Sequence, residues 1–164
     1  MKKQLSVIPK ILLIDIDGFT VDYMVLRFGQ LEMEYVDSLE NGVIRLYNSI
    51  KAAIRKKYSI LLDEEDIDNI ILERGGCYKP ELKERVREVA IGYVTELLGK
   101  FRELGIDFNT TQTVFLGGGS ILLADFIQIV WKRFGVEYNI INDTKANAKG
   151  YRLQYLVEKK EERK

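Results

Sequence analysis

A chain of 164 residues has room for one ordinary domain or for part of a two-domain protein, and 46% hydrophobic with 30% charged content and only two prolines argues against intrinsic disorder. Lys plus Arg and Asp plus Glu are 25 each, so the formal net charge is zero and direct coating of nucleic acid is disfavoured. The chain has no histidine, which excludes Ser-His-Asp and Cys-His catalysis and histidine zinc sites, and leaves chemistry to carboxylates, hydroxyls, backbone amides and a bound cation.

Ile11 to Ile16 is a short apolar run that predicts a buried strand, followed by the turn-rich Asp17-Gly18-Phe19-Thr20. Val21 to Phe28 and Leu31 to Val36 predict two more strands around Gly29-Gln30, making a three-stranded antiparallel meander. After Asn41-Gly42 the apolar period becomes helical, with Val43, Ile44, Leu46, Tyr47, Ile50, Ala53 and Ile54 on one stripe. A shorter helix is expected from Glu64 to Leu72, with acids in its first turn, and a long one from Pro80 to about Leu104. The last third predicts a strand at Thr113 to Leu116, a tight turn at Gly117-Gly118-Gly119-Ser120 and a helix at Ile121 to Phe134. A strand at Glu137 to Ile141 and a final helix complete the order, which implies an α/β mixed sheet with helices on its faces. One cysteine, Cys77, cannot form an intramolecular disulfide, and neither a membrane-spanning apolar run nor a signal sequence is seen, so a soluble, cytoplasmic chain without membrane contact is expected.

Two glycine turns carry the chemical signal. In Asp15-Ile16-Asp17-Gly18-Phe19-Thr20-Val21-Asp22, acids, a glycine and a hydroxyl crowd the end of a buried strand. Asp15 suits a metal-bound water, Gly18 close backbone approach and Thr20 a phosphate oxygen, whereas the competing reading is a plain hairpin turn rich in Asp and Gly. In Gly117-Gly118-Gly119-Ser120, bare backbone could lie against a ligand, or the glycines could serve close strand-to-helix packing with Ser120 as a helix cap. Asn142 to Tyr151 opens the last helix with capping and small residues, for which a structural role is the simpler reading.

The order of these pieces resembles the actin, sugar kinase and Hsp70 superfamily. Asp15 to Asp22 is similar to its second phosphate motif, Phe115 to Ser120 to its adenosine motif, and Ala146 to Tyr151 to its second connecting motif. Ser38 to Ile44, Phe115 to Leu123 and Ala146 to Tyr151 resemble in particular the bacterial actin-like ATPases of plasmid segregation, of the ParM or StbA kind. The resemblance implies a ribonuclease-H-like lobe with a five-stranded mixed sheet built from the meander and two βα units. It implies a single C-terminal lobe over residues 1–164, with a nucleotide-binding core at 8–60 and 105–155 and a smaller helical subdomain at about 61–104. It further implies ATP or ADP with Mg2+ as ligands, with Asp15 holding the metal and the attacking water, Asp17, Gly18, Phe19 and Thr20 at the phosphates, and Gly117, Gly118, Gly119 and Ser120 at the adenosine. The partners implied are further protomers in an ATP-dependent filament and an adaptor protein bound to plasmid DNA.

Two departures stand out. The superfamily's first phosphate and first connecting motifs are not in this sequence, so hydrolysis is expected only once an N-terminal lobe is joined to it. Asp17 stands where the family has glycine, and a carboxylate within about 4 Å of a triphosphate repels it by ~1 kcal/mol to several, depending on the local dielectric. Asp17 also makes Asp15-Ile16-Asp17-Gly18 similar to the nucleophile motif of haloacid-dehalogenase-type phosphatases, with Asp143 as the late magnesium-binding acid. A third alternative is an interaction module that kept the actin fold without its nucleotide.

Overall fold

The computed structural model describes residues 8–142. β1 (Lys10–Ile16), β2 (Val21–Arg27) and β3 (Gln30–Leu39) form the expected meander. Phe28 and Gly29 between β2 and β3 both take positive φ, 50° and 78°, the backbone of a two-residue hairpin turn whose twist matches the flanking strands. β3 is longer than the apolar pattern implied, because its pairing with β2 jumps between Val25↔Glu32 and Tyr23↔Asp37, and Met33 to Val36 bulge off the ladder.

Three helices follow, α1 (Val43–Tyr58), α2 (Glu64–Ile71) and α3 (Pro80–Glu103); α2 and α3 end within a residue of the expected bounds, and α1 runs on past Ile54, the last residue of its apolar stripe. Asp63 opens α2 through a reciprocal capping box with Asp66. Pro80 sits in the first turn of α3, and Gly105, at φ 81°, ends it with Ile106 N–H reaching back to the Phe101 carbonyl at 3.0 Å.

β4 (Gln112–Leu116), α4 (Gly117–Leu122), α5 (Ala124–Trp131) and β5 (Tyr138–Ile140) complete the described chain. Here the sequence expectation needs correction. The glycines form the first turn of a short helix rather than a loop before one, and the single helix expected over 121–134 is two, divided at Leu123 (φ −96°, ψ 9°), whose side chain is fully buried.

Sheet order is β3-β2-β1-β4-β5, with β1 antiparallel to β2 and parallel to β4, and β4 parallel to β5. Leu12, Ile14, Ile16, Val21, Tyr23, Val25 and Phe115 make one buried face. The helices close over it: Phe101 of α3 meets Tyr23 edge-on at 5.3 Å between ring centroids, and Trp131 of α5 meets Phe115 at 5.5 Å. Burying aromatics and aliphatics in one continuous cluster is the main stabilising contribution, roughly 2 kcal/mol for each large side chain removed from water. No helix among the described residues is long and apolar enough to cross a membrane.

Candidate functional site

β1 and β4 are parallel neighbours, with Asp15 paired to Leu116 at their ends. The segments leaving them, 17–20 and 117–120, therefore emerge at the same end of the sheet. A crevice at the carboxyl ends of parallel strands is the usual ligand position in sheets of this kind.

The first turn is closed by Asp17 N–H on the Thr20 carbonyl at 3.0 Å, and Asp17, Gly18 and Phe19 are exposed. Its carbonyls are used by α1. Val43 N–H donates to Asp17 O at 3.0 Å, Ile44 N–H to Gly18 O at 2.9 Å, and Gly42 N–H to Phe19 O at 3.0 Å. Gly42 offers no side chain to cap α1, so the turn's carbonyls satisfy amides that would otherwise be orphaned. Because a trans peptide holds C=O and N–H on opposite sides, three carbonyls aimed into α1 direct the N–H groups of Gly18, Phe19 and Thr20 away from it. Successive amides pointing outward from one turn are an anion-binding arrangement. Asp17 takes no positive φ, so glycine is not needed there for the backbone to turn. Gly42 is needed, since a Cβ on it would overlap Gly18 O and the Phe19 carbonyl carbon.

In the second corner the glycines divide by role. Gly117 has φ 81°, and a Cβ on it would overlap Oδ1 of Asp15 and lie 2.5 Å from Ile16 O. A Cβ on Gly119 would lie 2.6 Å from Cγ2 of both Ile16 and Val43. Ser120 is fully buried and its hydroxyl donates back to Leu116 O, so it neither caps α4 nor reaches the surface. Gly118 is exposed, has no positive φ, and a Cβ there would meet nothing within 4 Å; the same is true of Gly18 in the first turn.

Asp15 lies opposite Asp22 on β2 and shares a sheet face with it, Asp15 half-buried and Asp22 exposed. These hard oxygen donors suit magnesium that keeps most of its waters. Among the described residues no group of three acidic, cysteine or histidine side chains is placed to hold a metal.

A set of residues the sequence reading passed over supports the first turn from behind. Asn41 is buried, its Oδ1 accepts from Lys100 Nζ at 2.9 Å, and its carbonyl accepts from the Tyr93 hydroxyl. Burial pushes the Tyr93 phenol up to about 12, keeping it a proton donor, with Arg45 opposing and Glu96 adding to the shift. Asn41-Gly42 reads in sequence as a helix boundary, and only its pairing with α3 across the core reveals the second role.

This arrangement of strands and helices recurs in solved structures. MreB 5 of Spiroplasma citri bound to AMPPNP superposes with a TM-score of 0.74 at 17% identity, over 97% of this chain and 56% of that one. A non-polymerisable quadruple mutant of pCBH ParM gives 0.70 at 24% identity, over 92% of this chain and 47% of that one. The fold is that of the actin-like ATPases. An Alp12 filament structure gives 0.63 at 14% identity, over 88% and 48% of the two chains. This actin-like chain spans about half the length of each of these proteins. The sequence matches no protein-family model and no curated protein. The segment resembling the second connecting motif, and Asp143 of the phosphatase reading, lie outside the described residues.

Proposed function

We propose that the chain is a nucleotide-binding lobe of a filament-forming actin-like ATPase that takes ATP or ADP with magnesium at the end of β1 and β4. The observation that carries this reading is the orientation of the first turn: its carbonyls enter α1, so its amides face out beside an exposed Gly18 that neither φ nor packing requires. Gly118, equally unconstrained, lies on the neighbouring corner, where backbone can approach an adenosine. Gly117 and Gly119 set that corner against β1 from behind, and the Ser120 hydroxyl ties it to the end of β4.

On this reading the amides of Gly18 to Thr20 and the Thr20 hydroxyl hold phosphate oxygens. Asp15 orients the magnesium and a water, and Asp22 supports it from the facing strand. Magnesium, when bound, screens the phosphate charge and polarises the reacting phosphoryl group. A lobe alone offers one wall of the seat, so efficient hydrolysis and ATP-dependent assembly require the opposing lobe. Support for self-association comes from likeness to an Alp12 filament and to a ParM described by its loss of polymerisation. Movement of plasmid DNA through an adaptor protein is the finer part of the proposal, carried by the resemblance to the ParM or StbA kind.

Calorimetric titration of the chain with ATP and magnesium tests the seat: saturable one-site binding is expected, and a flat titration at millimolar ATP counts against it. Light scattering after an N-terminal actin-like lobe is supplied tests assembly, with an ATP-dependent rise expected. Co-sedimentation of those filaments with an adaptor-loaded DNA then tests the segregation role.

A further inference from the structure

We propose that Asn41 is a positioning residue for the outward amides of the first turn, held by Lys100 and Tyr93 so that α3 and the turn move as one unit. The proposal rests on the nucleotide reading for its ligand but not for its geometry.

Asn41 is only 6% exposed, and both of its oxygens are used by α3. Lysine can only donate, so Lys100 fixes which end of the Asn41 amide faces it, and the Tyr93 hydroxyl holds the backbone carbonyl of the same residue. The next three amides in sequence, Gly42, Val43 and Ile44, donate to the three carbonyls of Phe19, Asp17 and Gly18. A shift of Asn41 is therefore a shift of three consecutive donors, and it rotates the peptide planes whose far sides present the amides of Gly18 to Thr20. There is no slack to absorb it, because Gly42 lies against Gly18 and Phe19 with no space for even a methyl group. Lys100 is reachable from solvent, with 31% of its side chain exposed, and approaches Glu96 at 3.9 Å. Glu96 in turn accepts from Arg45 of α1 at 2.9 Å. The surface of α3 is thus joined to Asn41 by one charge-assisted hydrogen bond, which is stronger than a neutral one, and from Asn41 to the turn by backbone hydrogen bonds.

Replacing the partly exposed Lys100 avoids unfolding the core. The test compares Lys100→Met, which keeps the aliphatic stem and removes the donor, with Lys100→Arg, which restores a donor. Hydrogen exchange is followed at Val43 and Ile44, whose amides are protected only through the turn's carbonyls, and at Ile50 and Ile54 deeper in α1 as internal controls. Lys100→Met is expected to speed exchange about tenfold at Val43 and Ile44 but not at Ile50 and Ile54, and to weaken ATP–magnesium binding about threefold or more, with both effects reversed in Lys100→Arg. Unchanged exchange at Val43 and Ile44, an even rise along the whole of α1, or a local rise without loss of ATP affinity would each overturn the proposal. If the unaltered chain takes no ATP, the nucleotide reading fails, and localised or uniform exchange still decides whether Lys100 and Asn41 position the turn.

Discussion

The carboxylate of Asp15 fills the space in which a side chain at Gly117 would begin, at the joined ends of two parallel strands. Gly117 also sits at φ 81°, so Gly117→Ala meets steric overlap and backbone strain together. A loss of ~2–4 kcal/mol is expected in urea unfolding, whereas stability within ~0.5 kcal/mol of the parent would show that the strand end and the glycine corner are not in contact.

Gly18 and Gly118 should behave in the opposite way. Since neither position needs glycine for its conformation and neither has a neighbour for a Cβ to meet, alanine at each is expected to hold or slightly raise stability, by up to ~1 kcal/mol through the unfolded chain. Affinity for ATP with magnesium should fall about tenfold in each variant, as a methyl group intrudes between backbone and ligand. Calorimetry beside thermal unfolding separates the two quantities, and full affinity in both variants removes these corners from the seat.

Asp17 brings a negative charge to an exposed turn proposed to hold phosphate. Asp17→Asn preserves the shape and removes the charge, so binding of metal-free ADP in EDTA is expected to strengthen about fivefold, consistent with ~1 kcal/mol for charges about 4 Å apart near water. With magnesium present the gain should shrink. Equal affinities for the two proteins in EDTA would mean that the carboxylate points away from the ligand.

Alkaline pH offers a check on Asn41's partners. Burial raises the Tyr93 phenol from 10.0 to about 12, so the folded protein keeps that proton to higher pH than the unfolded chain does. The stabilisation is whole below about pH 10 and is lost as pH climbs through about 12, a fall of ~2 kcal/mol from this group. Urea midpoints measured between pH 9 and 12 are expected to decline less steeply in Tyr93→Phe than in the parent, and parallel declines would place the phenol in contact with solvent.

Much of the architecture was legible because local pattern and burial agree. The stripe through Leu46, Ile50 and Ile54 is the buried face of α1, and the alternation at Val21, Tyr23 and Val25 is the buried face of β2. The meander followed from the turn at Gly29. Patterns failed where tertiary contacts decide. Apolar residues run without interruption through Leu122 and Leu123, so nothing in the sequence marks the bend between α4 and α5. The β3 bulge comes from pairing with β2 rather than from residue type. The glycine corner looked uniform, yet only structure separates Gly117 and Gly119, which are packed, from Gly118, which is open. Asn41 was invisible as a support because its partners lie 52 and 59 residues away.

The way α1 begins also bears on how the empty protein behaves. Its leading donors already have acceptors inside the chain, so the fold does not wait for a guest to complete it. Heating curves taken with and without nucleotide should therefore differ only by the increment that mass action allows, rising with the logarithm of ligand concentration, and the lobe should persist intact through each cycle of filling and release.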